Sequence, residues 1–166
     1  ASACGCSACH APRQQLEHTC CGVAIANTTP LLTVDCVLEP AECAAVVAAI
    51  RHAVERRGGW ETERHNRHRT TDLRVSDVAA CEELVRRRVF ERILRPLGAE
   101  YVAPFLPEHL AFHDLFYVRY GAGPGEQRAL PMHADGSLFS FNVLLSPADA
   151  FDGGGTYFEA CGRTVR

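Results

Sequence analysis

An α+β architecture follows from two features of the chain. Apolar residues fall at helical spacing over the earlier part, and beyond about residue 99 their spacing changes to two. Helices first and strands afterwards suggest helices packed on one face of a largely antiparallel sheet. At 166 residues and 47% hydrophobic content, the chain can bury a real core in one domain that carries a tail.

Residues 1–30 are small, Cys-rich and without clear periodicity, and read as a disordered tail. Cys4, Cys6, Cys9 and His10 stand in a C-x-C-x2-C-H run that could bind zinc, although the usual paired C-x2-C spacing is missing. "LLTVDCVL" (31–38) reads as a buried strand. Pro40 then suits the first turn of a helix. Cys43, Val46, Val47, Ile50 and Val54 form one apolar stripe along that helix, and Gly58 and Gly59 stop it. Arg64, His65, Arg67, His68 and Arg69 make a basic knot. Glu61, Glu63 and Asp72 interleave with it, so it reads as a solvated loop rather than a phosphate site.

Ser76 is a plausible N-cap for a second helix with Asp77 in its first turn. Cys81, Leu84, Val85, Val89, Ile93 and Leu97 mark its core face, and Pro96 and Gly98 end it. Arg86, Arg87 and Arg88 point about 100° apart and make no single basic face. Next come a strand ending at Tyr120, the Gly/Pro-rich loop "GPGEQRALP", and then His133 and Asp135. A strand "SLFSFNVLLS", a turn "PADAFDGGG" and a strand "TYFEA" complete the pattern.

Composition narrows the chemistry. The 17 basic residues are all Arg, which excludes a Schiff-base or phosphate-loop lysine from this sequence. A net charge of −3 gives no global pull toward nucleic acid or an anionic membrane. No run approaches the ~18 apolar residues of a membrane span. Nine Cys, unevenly placed, argue against a tidy disulfide framework. The only Met is Met132, so the chain is expected to be processed or to be a fragment. Its compartment is not legible.

His133 and Asp135 carry the strongest chemical signal. Side chains two apart on a strand share a face. An imidazole nitrogen and a carboxylate oxygen aimed at one point suit a divalent metal, and one further His would complete a two-His-one-carboxylate set. With eight His and seven Asp in the chain, this spacing alone is weak.

Its surroundings are more specific. A strand ending in Tyr-Gly, H-x-D a dozen residues on, an apolar strand ending in Leu-Ser, and G-G-G-T before an aromatic strand follow in order. This region resembles the 2-oxoglutarate- and Fe(II)-dependent dioxygenases of the prolyl 4-hydroxylase type. "TVDCVLEPAEC" and "HRTTDLRV" are similar to that family's helical N-terminal half, so the resemblance covers about residues 31–166. It implies a double-stranded β-helix (jelly-roll) core with N-terminal helices packed on it, C-terminally incomplete here. It implies Fe(II) on His133 and Asp135, 2-oxoglutarate contacted by Tyr120 and Thr156, and dioxygen as cosubstrate. It also allows ascorbate as an accessory. The family's third ligand, a later His, and the basic residue that binds the distal carboxylate of 2-oxoglutarate are not matched. His109 and His113 precede the motif, and Arg163 and Arg166 match no family position.

The leading expectation is therefore a hydroxylase acting on a peptide or small molecule, with no nucleic acid or membrane partner, present as an incomplete chain that is inactive alone. The alternative is a non-catalytic β-helix binding module whose Cys-rich tail holds zinc. A nucleic-acid binder built on the Arg-rich segments is a third reading, which a steep salt dependence would reveal.

Overall fold

The computed structural model describes residues 17–20, 23–26, 31–101, 107–137 and 139–166. Two short strands near the N-terminus, β1 (Glu17–Cys20) and β2 (Val23–Ala26), pair antiparallel with Glu17 opposite Ala26. The zinc-ligand candidates Cys4, Cys6, Cys9 and His10 lie outside the described residues.

Helix α1 spans Pro40–Arg57. Pro40 occupies its first turn, where a missing N–H costs nothing. The Glu42 carboxylate accepts the Glu39 backbone N–H at 2.9 Å, which satisfies a donor at the helix start. At the other end Gly58 takes a left-handed φ of 82°. Its N–H and that of Gly59 close onto the carbonyls of Glu55 and Val54. Val46 and Ile50 are the buried centre of the stripe, with Cys43, Val47 and Val54 half-buried beside them.

The second helical run departs from expectation in its middle. α2 (Ala79–Val89) leads through a π-helical turn, Phe90–Leu94, into α3 (Arg95–Tyr101). The Arg95 N–H reaches back five residues to the Phe90 carbonyl. The buried residues are Cys81, Val85, Val89 and then Leu94, so the step lengthens from four to five at the turn. Leu94 thereby takes the buried place expected of Ile93. Pro96 does not end the helix. It has no N–H to donate, and the π turn before it already loosens the hydrogen-bond ladder.

The jelly roll is not formed, which overturns the fold class expected from the resemblance. Among the described residues there are six strands of three or four residues, paired two by two in three separate antiparallel sheets. β3 (Asp72–Arg74) pairs with β4 (Phe116–Val118), Leu73 opposite Tyr117. β5 (Thr156–Phe158) pairs with β6 (Arg163–Val165), Thr156 opposite Val165. A jelly roll requires eight strands in two stacked sheets. The segment 31–38 forms no strand, and only Val37 and Leu38 within it are buried. Residues 139–145 belong to no strand pair, yet their exposure alternates, with odd positions half-buried and even ones exposed. The period of two is real there, but a period does not supply a ladder partner.

The chain divides into two compact units. One gathers residues 1–38, 86–111 and 147–166, and its described core includes Val37, Leu38, Val89 and Leu94. The other gathers residues 39–85 and 112–146 and holds Val46, Ile50, Leu73, Val75, Val78, Cys81, Val85 and Tyr117 in its core. In this second unit the Val75 N–H extends the β3–β4 contact to the Leu115 carbonyl, and Cys81 Sγ lies 3.4 Å from the Tyr117 hydroxyl.

Candidate metal-binding site

The site lies in the second unit, on two loops that β3 and β4 hold together. The first loop, residues 62–71, leads into β3. Asp72, at the start of β3, is completely buried. Its carboxylate accepts hydrogen bonds from the Thr70 hydroxyl and from Arg64 Nε, the latter at 2.7 Å. Arg64 Nη1 also donates to Asp114 at 2.5 Å. Burial by itself pulls the Arg64 guanidinium down. Hydrogen bonds and charge from Asp72 and Asp114 outweigh it and hold the group above its ordinary value. The guanidinium also stands 4.4 Å over the Phe116 ring. His65 Nε2 lies 3.5 Å from Asp72 and 3.8 Å from Asp114. It is buried and makes no hydrogen bond within geometric limits, as is Arg64 Nη2. The basic knot therefore splits, with Arg64 and His65 turned into an ion-pair cluster while Arg67 and Arg69 stay exposed.

The second loop follows β4. Gln127 ties it to the first, because its side-chain oxygen accepts the Thr71 N–H at 2.6 Å while its backbone oxygen accepts the Gly121 N–H at 2.9 Å. The Arg119 N–H returns to the Thr71 carbonyl. Glu126 folds back, accepting from the Gly123 N–H at 2.8 Å and from the Arg119 side chain. A Cβ at Gly121 would collide with that carboxylate, so a larger residue there would have to displace the Glu126 side chain. Trp60, Thr62 and Thr71 join this loop around a cavity of about 260 Å³. A larger cleft of about 450 Å³ beside the ion-pair cluster is lined by Arg57, Glu61, Glu63, Arg74 and Asp77 together with Arg64 and Asp72.

His133 and Asp135 come next along the chain. They lie on no strand, so the shared-face argument that singled them out does not apply. Their side chains nevertheless meet, with His133 Nε2 3.3 Å from Asp135 Oδ1. His133 Nδ1 is 2.8 Å from the Pro131 carbonyl, which can only accept. Nδ1 therefore carries a proton donated to that carbonyl, and Nε2 faces a carboxylate oxygen. With a proton on Nε2 the two groups form a hydrogen-bonded pair, and with a cation in its place both atoms can serve as its donors. Neighbouring donors on a metal with bonds near 2.1 Å and right-angle geometry stand about 3 Å apart, close to this separation. The carbonyl on Nδ1 is the outer contact that commonly orients a metal-bound imidazole.

His68 brings a second imidazole to the pair. Its ring centroid lies 4.7 Å from that of His133, with the planes tilted by 31°. In their present rotamers, no three His, Cys, Asp or Glu side chains among the described residues are close enough to enclose a metal ion. Sequence reading placed His68 in a solvated loop. The only signal that could have found it is its position between anchored neighbours, which requires knowing that Arg64 pairs with Asp72.

The remaining expected residues are less well placed. Tyr120 follows the end of β4 and is 51% exposed, with its phenol pushed above the ordinary value by partial burial. Thr156 opens β5 in the first unit and is half-buried. His109 closes a short 3-10 turn of the first unit, and His113 is exposed. Arg163 begins β6, and Arg166 follows it. Comparison of the chain with family models, curated proteins and solved structures finds no match.

Proposed function

We propose that the chain is an Fe(II)- and 2-oxoglutarate-dependent oxygenase of the hydroxylase type, with His133 and Asp135 as metal ligands. One observation carries the reading. An imidazole nitrogen and a carboxylate oxygen face each other at 3.3 Å, and the Pro131 carbonyl beside Nδ1 orients the ring. The donor set, an imidazole and a carboxylate, fits a divalent first-row metal. The reading rests on this site and not on a fold, since function resides in sites that unrelated folds can carry.

Bound iron would supply the centre at which dioxygen and 2-oxoglutarate are consumed. The balanced reaction turns 2-oxoglutarate, dioxygen and a C–H bond into succinate, carbon dioxide and a C–OH group. The protein's own residues bind and orient. Pro131 keeps the proton on Nδ1 of His133, and Asp135 offers the anionic ligand. The Tyr120 phenol, whose partial burial favours its protonated form, can donate to a carboxylate of 2-oxoglutarate. The substrate class is a peptide or a small molecule, with ascorbate as an accessory reductant. A second reading, a metal-binding module without turnover, is favoured by the exposure of Tyr120.

Anaerobic loading with Fe(II) and 2-oxoglutarate, followed by dioxygen, separates the two. Succinate formed by the wild-type chain and lost in His133→Ala and Asp135→Ala supports the oxygenase. Stoichiometric Fe(II) binding without succinate supports the module. A chain that binds no Fe(II) refutes both.

A further inference from the structure

We propose that Arg87, Arg92 and Arg95 form a docking face for an acidic helical segment of a partner protein, and that the π turn assembles it. In an unbroken α-helix, positions four apart on that face would read Arg87, Glu91 and Arg95, with the acid between two cations. The extra residue of the π turn moves the face along by one. Arg92 takes the exposed place, while Glu91 is half-buried and turns to Arg88 at 3.4 Å. The opposite side shows the same step, where Leu94 replaces Ile93 in the core. A row that would neutralise itself thus becomes three cations in line.

All three arginines are exposed and lie in the first unit. None of them makes an ion pair among the described residues. The Arg95 guanidinium stands 5.2 Å from the centre of the Phe90 ring, a contact that spans the turn and holds its head group in place. Single π turns inside α-helices recur at functional positions. From Arg87 to Arg95 the row extends about 12 Å, the rise of eight helical residues. Guanidinium forks pair with carboxylates bidentately. A partner helix with Asp or Glu at i, i+4 and i+7 repeats carboxylates over about the same length. The chain's net charge of −3 offers no long-range attraction to an extended polyanion, which favours a short acidic segment over nucleic acid or an anionic membrane.

The test is fluorescence anisotropy of a labelled helical peptide with Glu at those positions, titrated with the full 166-residue chain. The wild-type chain is expected to bind it, with an affinity that falls as ionic strength rises to the physiological range. Arg87→Gln, Arg92→Gln and Arg95→Gln together keep the helix propensity and should weaken binding by at least about 10-fold, as expected of three exposed charge pairs. Arg51→Gln, Arg56→Gln and Arg67→Gln together remove the same charge from exposed positions elsewhere and should leave binding unchanged. Circular dichroism confirms that each variant is folded. Equal losses in the two triple variants would show a response to net charge and overturn the row. A wild-type chain that leaves the peptide free even at low salt overturns the proposal outright. A DNA duplex or a phosphatidylserine vesicle that binds more tightly than the peptide, and is lost in the row variant, would assign the face to phosphate and overturn the choice of an acidic segment.

Discussion

Asp72 is the residue on which the second unit turns. Its carboxylate is wholly removed from solvent, yet it is answered by a hydroxyl, a guanidinium and a nearby imidazole. A buried carboxylate is tolerated only when it is paired and hydrogen-bonded. Removing one partner of such a pair strands the other. Asp72→Ala should therefore lower the unfolding free energy by about 3–5 kcal/mol, read by urea denaturation. Arg57 and Asp77 meet at 2.6 Å but are both more than a third exposed. Arg57→Ala should change stability by less than about 1 kcal/mol in the same assay. Neither result is readable from the sequence. The segment "RHNRHRTTD" announces its charges but not which are paired, because Asp114 enters from forty-two residues beyond Asp72. His133 and Asp135 were expected to share one face of a strand, and the structure brings their side chains together for a different reason. They meet on an irregular segment, with Pro131 orienting the imidazole.

At the scale of elements, helix ends are where the sequence speaks most plainly. Pro40 and the paired glycines bound α1 because each has one backbone property that other residues lack. Gly58 sits at φ 82°, with open space where a Cβ would stand. Gly58→Ala should thus cost only the left-handed backbone penalty, about 1–2 kcal/mol, seen as a lowered midpoint in urea with an unchanged slope. The π turn at Phe90–Leu94 was not legible. A helical pattern counts in threes and fours, and one inserted residue moves the buried face from Ile93 to Leu94 without altering composition. Strand partners were less legible still. Phe116–Val118 was read as part of a strand, but nothing in its own residues pointed to Asp72–Arg74 as its mate. Long-range pairing depends on what else the chain places nearby, so alternation in residues 139–145 led to a sheet that is not there.

For the molecule as a whole, buried side chains and regular hydrogen bonds concentrate in α1, the β3–β4 pair and the helical run 79–94. The described residues of the stretch 119–155 are tied mainly by loop contacts and form no strand or helix. Hydrogen exchange should follow this division. Amides of residues 46–50, 73–75 and 81–94 are expected to exchange slowest and those of 131–155 fastest, measured by mass spectrometry of peptic fragments. Equal protection across both would contradict the distribution of the core. The proposed metal pair falls in the weakly protected stretch, where binding energy can be spent on ordering the loop.

Between Ser137 and Ser146 the chain carries no charge, proline or glycine, and Leu144 is 53% exposed on the outward side of the alternation. Such a segment has the makings of a strand but none of the gatekeeping residues that keep strands from joining one another. Its consequence is colloidal. These ten residues offer a route by which copies of the chain can join edge to edge, and Leu144→Lys is expected to raise the concentration at which the protein stays in solution, read by light scattering.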